Sequence, residues 1–568
     1  MHRLFRPAVF VVGAALAAAS AAVPAQAGVV LADSAAAQPA MFAVKLPLRN
    51  RSALDALHAA QHDPASPLYH HWLTAAEFAT RFGPSPADKA AVARELQAAG
   101  FTVKIGSQAV FAHGSEPAAE RYFHTSSNFR SPDGISRAVL GPRRPLQRSP
   151  LVQSLGAHIV GLDGLPEWHS NAEFDVNHAF RPFNDNGPLG PYAPPALREA
   201  YYYPSYAVAT GAKTAIGIIS SSPVSTADVN EFVAGTGNYA PGGKYPTIVE
   251  EPIDGGGTYN ASGAATGEVT LDVEYSLGSA PGATIAIFDI PFLSAGELLE
   301  AYATALNSAV DIVSSSIGGC EKAYANYPGV WELEALDDVF YEGSVEGVTF
   351  VGASGDNGAF ECGTGTTSTN LSVQTPTDDP FMTGVGGTTS LRTQYVPGTY
   401  DSGYVSETSY AYAYTGHGGS VWGSDGGYSV IWDKPTYQNG FVAGNVRGVP
   451  DVAMHMGGFG SGDSSDQIIV GGQVEGVAGT SAAAPEFAGL LALRVQLKGR
   501  LGDFNPEMYA LAKTKGTFRP GIKGNNGYYS TTTGLWDPVL GLGTPIGVRI
   551  YGNASAPLAG VPRSASNP

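Results

Sequence analysis

Residues 479–497 read GTSAAAPEFAGLLALRVQL. A glycine-led turn, Gly479-Thr480, delivers Ser481 to the start of an apolar helix that runs through Leu497. The first turn of a helix has backbone N–H groups without partners inside the helix, and a serine placed there has them at hand to hold a developing oxyanion. Ala482, Ala483 and Ala484 let another chain approach closely, and Pro485 falls in the first turn, where its missing donor is tolerated. A bare Gly-Thr-Ser reads more simply as an N-cap serine on a buried helix. The rest of the chain has to decide between the two.

Working outward, apolar β-branched runs alternate with helical segments. Residues 215–219, 284–288, 310–314 and 348–353 read as strands, and 225–234 and 295–309 as helices. Short apolar strands separated by helices predict a buried parallel sheet, hence an α/β fold whose strand ends point loops at a crevice. Residues 41–130 differ: a helix over 86–99 with Ala91, Val92 and Leu96 inward is followed by short strands at 101–103 and 109–111. This predicts a separate α+β domain. Residues 164–194 are dense in proline, asparagine and glycine and read as a linker open to proteolytic nicking.

Residues 1–27 predict a secretory signal peptide: Arg3 and Arg6 open it, an apolar run spans 8–23, and Ala25-Gln26-Ala27 suits cleavage after Ala27. No later stretch has the roughly 18 apolar residues that a membrane helix needs, so an exported protein without a membrane anchor is expected. Residues 28–185 carry 14 Lys+Arg and 14 Asp+Glu, whereas 186–568 carry 16 and 36. That acidic surface repels nucleic acid and anionic lipid at neutral pH. The two cysteines, Cys320 and Cys362, read in an oxidising compartment as a disulfide before a metal site, with two buried thiols as the other reading.

Residues 267–274 read GEVTLDVE. On a helix Glu268 and Asp272 share one face, and if they are buried together one carboxyl pKa rises. Val269, Leu271 and Val273 alternate with the acids and argue against a solvated acidic face. GTSAAAP resembles the subtilisins, and that resemblance would imply a histidine on a His-Gly-Thr helix and an aspartate after the first strand, which find no match here. His-Gly occurs at His113 and His417 without a following threonine, and the first α/β strand ends in Ser220-Ser221-Ser222 with no acid. Only His417 and His455 lie in the α/β part. Residues 350–358, FVGASGDNG, run a strand into a tight loop where Asp356, taken alone, reads as an Asx turn.

Together these strings resemble the sedolisin (serine-carboxyl peptidase) family. GTSAAAP resembles the nucleophile segment shared by subtilisins and sedolisins, and GEVTLDVE resembles the sedolisin string that holds a glutamate base and its aspartate partner. The resemblance implies Ser481 as nucleophile, Glu268 as base and Asp272 bonded to that base. It also implies Asp356 as a protonated oxyanion donor, which ties activity to acidic pH. Residues 313–319, VSSSIGG, resemble the strand bordering the primary specificity pocket, so Ser314, Ser315, Ser316 and Gly318 are the expected substrate-binding residues. Ile317 and Ser220 stand where several members have tryptophan and glutamate, so the hydrogen-bond chain beyond Asp272 is expected to stop short.

Residues 524–543 resemble the family's calcium loop. Asp537 matches one carboxylate ligand, Pro520 stands where the other belongs, and Thr533 and Leu535 replace two glycines. One carboxylate fewer weakens a site for a hard cation, so calcium stays open; no organic cofactor is expected. Residues 64–73, PASPLYHHWL, resemble the family's propeptide. The expected organisation is a signal peptide over 1–27, a propeptide with linker over 28–185, a subtilisin-like α/β peptidase domain over 186–553 and a tail over 554–568. The propeptide junction is expected within 164–194.

The function expected from this is a secreted, acid-acting endopeptidase made as a zymogen. Its partners are protein or peptide substrates and its own propeptide as an intramolecular inhibitor, with no nucleic acid. The alternatives are a subtilisin-like neutral protease, or a secreted binding protein on an inactive protease scaffold. Nine of the 12 histidines lie between His58 and His178, and adjacent His70 and His71 are the expected buried pair that unlocks the propeptide in acid.

Overall fold

The computed structural model describes residues 39–130, 139–142, 146–162, 168–175, 191–326, 329–363, 370–395, 402–413, 421–459, 465–531 and 534–552. The signal segment, much of the linker, His178, His417, Thr533 and the tail lie outside the described residues. Seven strands form one parallel sheet in the order Thr247–Pro252, Thr284–Asp289, Ala215–Ser220, Ile312–Ser315, Thr349–Ala353, Met382–Thr388, Val452–His455. Its strands are β-branched because both faces are covered: Ile216, Ile218, Ile285, Ile287, Ile312 and Val351 are all fully buried.

On one face lie helices Ala264–Ser279 and Thr480–Lys498, and on the other Ala295–Leu306 and Gly329–Glu346. Helix Thr480–Lys498 is buried from Thr480 through Val495, as expected for a helix apolar all round. Ser225 and Ser294 start the helices Thr226–Thr236 and Ala295–Leu306 by accepting the amides of Asp228 and Glu297. The α/β reading and the subtilisin-like arrangement both hold.

Ahead of this sheet stands an α+β unit. Its antiparallel sheet runs Thr102–Ile105, Ala109–Ser115, Pro39–Lys45, His158–Val160 around a core of Phe42, Val44, Val92, Leu96 and Phe123. The sequence boundary of 41–130 was too narrow, because the last strand arrives from residue 158. The unit docks on helices Ala295–Leu306 and Gly329–Glu346 through cations and amides set against acids. Lys45 Nζ lies 2.7 Å from Asp338, Lys104 Nζ 2.9 Å from Glu300, and Gln108 Nε2 donates to Glu342 at 2.6 Å. The charge asymmetry seen in the sequence thus becomes an interface.

Candidate active site

Glu268 and Asp272 sit one turn apart on helix Ala264–Ser279, 4% and 1% exposed. Ser481 is fully buried at the start of the facing helix. The Ser481 hydroxyl falls outside hydrogen-bond geometry with any partner, yet it is close enough to Glu268 to act on its ionisation. Burial pushes the Glu268 carboxyl up to about 7, against the opposing pull of Ser481, the Ala172 amide, His169 and Ser316. Burial and the Glu268 charge together push Asp272 well above the usual carboxylate range. Two carboxyls so placed cannot both ionise easily, so the pair keeps a proton to a higher pH than either carboxyl would alone. Ser316 Oγ donates to Asp272 Oδ1 at 2.7 Å.

Asp356 belongs to the loop after strand Thr349–Ala353. Its Oδ1 accepts both the Thr480 amide at 2.8 Å and the Thr480 hydroxyl at 2.9 Å. Those two donors fix the carboxyl so that Oδ2 turns toward Gly479. A Cβ on Gly479 would lie 2.5 Å from Asp356 Oδ2, 3.1 Å from Ala172 Cα and 3.4 Å from the Asn171 carbonyl oxygen. Gly479, at φ 153° and ψ 160°, therefore leaves room for three groups to meet.

The groups it admits come from the chain's own linker. Residues 168–175 run through the cleft, pairing on both sides. His169–Ser170 pairs antiparallel with Ile317–Gly318, and Glu173–Asp175 pairs antiparallel with Gly476–Ala478. Between them the Asn171 amide donates to the Ser316 carbonyl at 3.3 Å, and the Ala172 amide donates to Glu268 Oε2 at 2.9 Å. The Asn171–Ala172 peptide thus lies against Glu268, Gly479 and the Asp356 loop. Linker residues 164–194 showed no periodicity that would mark this segment, because its strands form only against partners some 150 and 300 positions away.

The structure brings Glu268, Asp356 and Ser316 to this peptide and Gly318 to the neighbouring His169, with Ser481 beside Glu268 and Asp272 behind Ser316. Ser314 and Ser315 do not join them: both sit in strand Ile312–Ser315, paired to strands on either side and buried within the sheet. Cys320 and Cys362 are joined, as expected. His455 is held by Asp466 at 3.0 Å and makes no hydrogen bond to Ser481.

The described residues around Asp537 fit calcium poorly. Its Oδ1 caps a turn by accepting the amides of Val539 at 2.9 Å and Leu540 at 3.0 Å, and burial pushes its carboxyl up to about 6. Among the described residues the group of three candidate ligands is elsewhere, at His113, Asp254 and Glu300, where Lys104 already neutralises Glu300. A single carboxylate engaged as a turn cap lacks the charge and oxygen count that calcium requires.

Comparison with known proteins places this geometry. The model of the Pro-kumamolisin activation domain matches residues 28–137, and that of the Subtilase family matches residues 235–515. Sedolisin of Pseudomonas sp. (strain 101) is 28% identical over 553 residues, covering 92% of this chain and 88% of that protein. Kumamolisin of Bacillus sp. (strain MN-32) is 29% identical over 503 residues, covering 83% and 84%. A solved structure of Pseudomonas sedolisin, a serine-carboxyl proteinase complexed with pseudo-iodotyrostatin, matches with a TM-score of 0.55 at 26% identity. It covers 65% of this chain and 97% of that one. Fold and matched regions define a subtilase-fold peptidase that carries its own activation domain. More narrowly, the chain belongs to the sedolisin family of serine-carboxyl peptidases.

Proposed function

We propose that the chain is a secreted zymogen of an acid-acting endopeptidase that cuts its own Asn171–Ala172 bond and then other peptides. Ser481 Oγ attacks the Asn171 carbonyl carbon while its proton passes to Glu268. The developing oxyanion is held by Asp356 and by the Ser481 amide at the helix N-terminus. Collapse breaks the carbon–nitrogen bond, and Glu268 returns the proton to the Ala172 nitrogen. Water then releases Ser481 by the same steps in reverse. Asp272, one turn along the same helix and anchored by Ser316, tunes the ionisation of Glu268.

The observation that carries this reading is Glu268 Oε2, hydrogen-bonded to the Ala172 N–H and adjacent to Ser481. One carboxylate faces both the proton donor and the proton acceptor of a single acyl transfer. Acid action draws on Asp356, which must carry a proton to donate to an oxyanion, while the fraction of Glu268 still ionised below its raised pKa carries the proton transfer. The test is to express residues 28–568, acidify, and sequence the products by mass spectrometry. A new N-terminus at Ala172 is expected. Cleavage elsewhere overturns the junction, and no cleavage at any pH overturns the zymogen.

A further inference from the structure

The Asn171 side chain is 7% exposed, and its Nδ2 has no hydrogen-bond partner. Alternation along the 169–171 segment puts it on the same side as His169, whose Nε2 lies 3.2 Å from Glu361 Oε1. On that side a slot runs between strand Ile317–Cys320 and the loop that follows Ala353. Its walls carry Gly318 and Gly355. A Cβ on Gly318 would strike Gln374 Cδ at 1.9 Å, and one on Gly355 would come within 2.9 Å of Gln374 Oε1 and 3.1 Å of Asp425 Oδ2. The Gln374 amide therefore stands between the two glycines and closes the slot.

Its orientation is fixed. Gln374 Nε2 donates to the Ala353 carbonyl at 2.7 Å, which turns Oε1 the other way, buried and without a donor. Behind it Asp425 is fully buried, held by its own amide on the Gly355 carbonyl at 2.8 Å, with its carboxyl facing that of Glu361. Burial, then the Glu361 carboxyl, pushes Asp425 well above the usual carboxylate range. The buried Gln374 Oε1, left unpaired, costs free energy that a donor arriving with the substrate recovers.

Resting on the peptidase reading above, we propose that Gln374, backed by Asp425, is the floor of the primary specificity pocket. It selects a short side chain bearing a hydrogen-bond donor, asparagine above all, on the acyl side of the cut bond. A phenylalanine ring meets the Gln374 amide. A leucine, the shape of asparagine without its donor, buries the acceptor unpaired. An aspartate brings a donor only when it is protonated.

The experiment uses the acid-processed enzyme and peptides differing only at this position: Asn, Leu, Asp, Phe and Arg. Asparagine is expected to exceed leucine and phenylalanine in kcat/KM by about 10-fold or more, the scale on which pocket contacts discriminate. Gln374→Ala should lose most of that ratio by admitting leucine and phenylalanine, while Gln374→Glu, which keeps an acceptor, should retain a preference for asparagine over leucine. Equal turnover of leucine, or an arginine preference, in the wild type overturns the inference even if neither variant folds. So does a ratio unchanged in Gln374→Ala. If no peptide is cut, or Ser481→Ala cuts as fast, the peptidase reading falls and this inference falls with it.

Discussion

Glu268 Oε2 lies 2.9 Å from the amide nitrogen of Ala172, so the carboxylate beside Ser481 already holds the nitrogen that would leave. Replacing Glu268 by glutamine keeps the shape and removes the proton acceptor. Ser481→Ala removes the nucleophile and one oxygen. Each is expected to slow self-processing by about 1000-fold or more, as loss of a triad member does elsewhere. Both zymogens should stay folded, as checked by circular dichroism. Ordinary processing in either purified variant would count against the assignment.

Gly479 tests the meeting of Asp356, Asn171 and Ala172 without touching a reacting group. An added Cβ would stand 2.5 Å from Asp356 Oδ2 on a backbone conformation open essentially to glycine alone. Gly479→Ala should lower peptidase activity by about 100-fold, the scale of losing one oxyanion donor. The backbone strain should cost of order 1–3 kcal/mol of stability. A variant with normal kcat would show that the oxyanion forms elsewhere.

Why some of this was legible in the sequence and some was not has a physical basis. Ser481, Glu268, Asp272 and Asp356 lie in runs where a strand or helix and its functional residue are contiguous, so the local string carries the geometry. The same holds for strands Ala215–Ser220 and Thr284–Asp289, whose burial on two faces, Ile216, Ile218, Ile285 and Ile287 on one and Ile219 and Phe288 on the other, is written as apolar runs. Asn171, Gln374 and Asp425 carry no such signal. Each lies in or beside irregular chain, and what surrounds it is set by strands and loops far away in sequence. Ser314 and Ser315 show the converse error. Their string resembled a pocket edge, but alternation along a buried strand turns their side chains into the layers on either side. Thr480 was read as part of a turn, and the structure gives it the further task of orienting Asp356.

The disulfide links the two walls of the specificity slot, since Cys320 ends strand Ile317–Cys320 and Cys362 follows Glu361. It closes a sequence separation of 42 residues. Replacing both cysteines by serine should cost roughly 4 kcal/mol on the loop-entropy estimate, or somewhat less with native-state relaxation. Denaturant melts measure this, and thiol titration of the unreduced denatured protein should find no free thiol. Two titrating thiols would refute the bridge.

Chelation should leave the protein unmoved. With Asp537 serving as a turn cap and Pro520 in place of a second acid, EDTA should not lower the melting temperature, and millimolar calcium should not raise it. A ligand at 100 times its Kd stabilises by about 2.7 kcal/mol, a shift of some degrees in a domain of this size. A calcium-dependent rise of that order would restore the site.

The propeptide's response to acid should centre on His62 rather than on the adjacent His70 and His71. His62 lies at the end of helix Arg51–His62, 4.2 Å from the His58 ring and 5.4 Å from Trp72 between ring centroids. Its Nδ1 meets the His58 carbonyl at 2.8 Å, while Nε2 is shielded and has no partner. Burial, then His58, depresses it to about 4, with Asp503 pulling the other way and His70 adding slightly to the depression. His70 is half-buried and shifted in the same direction, whereas His71 is exposed. A base whose docked pKa is depressed favours docking at high pH. That contribution is lost as pH falls from its free value near 6.5 toward 4. The interface acids act with other signs. Burial raises Asp337 to about 6 and Glu342 to about 7, so their neutralisation eases docking as pH falls. Glu300 is held below its usual range by His113 and Lys104 despite burial, so its contribution is lost only below pH 4.5. In the window from 6.5 to 4, His62 is thus the most strongly shifted of the groups that work toward release, with His70 and His158 shifted the same way. His62→Gln, neutral throughout, should move the midpoint of self-processing to lower pH by roughly half a unit or more, within the whole-unit shifts that burial causes. His70→Gln should move it less. A midpoint unmoved in His62→Gln, read from band intensities across a pH series, would remove this histidine from the switch.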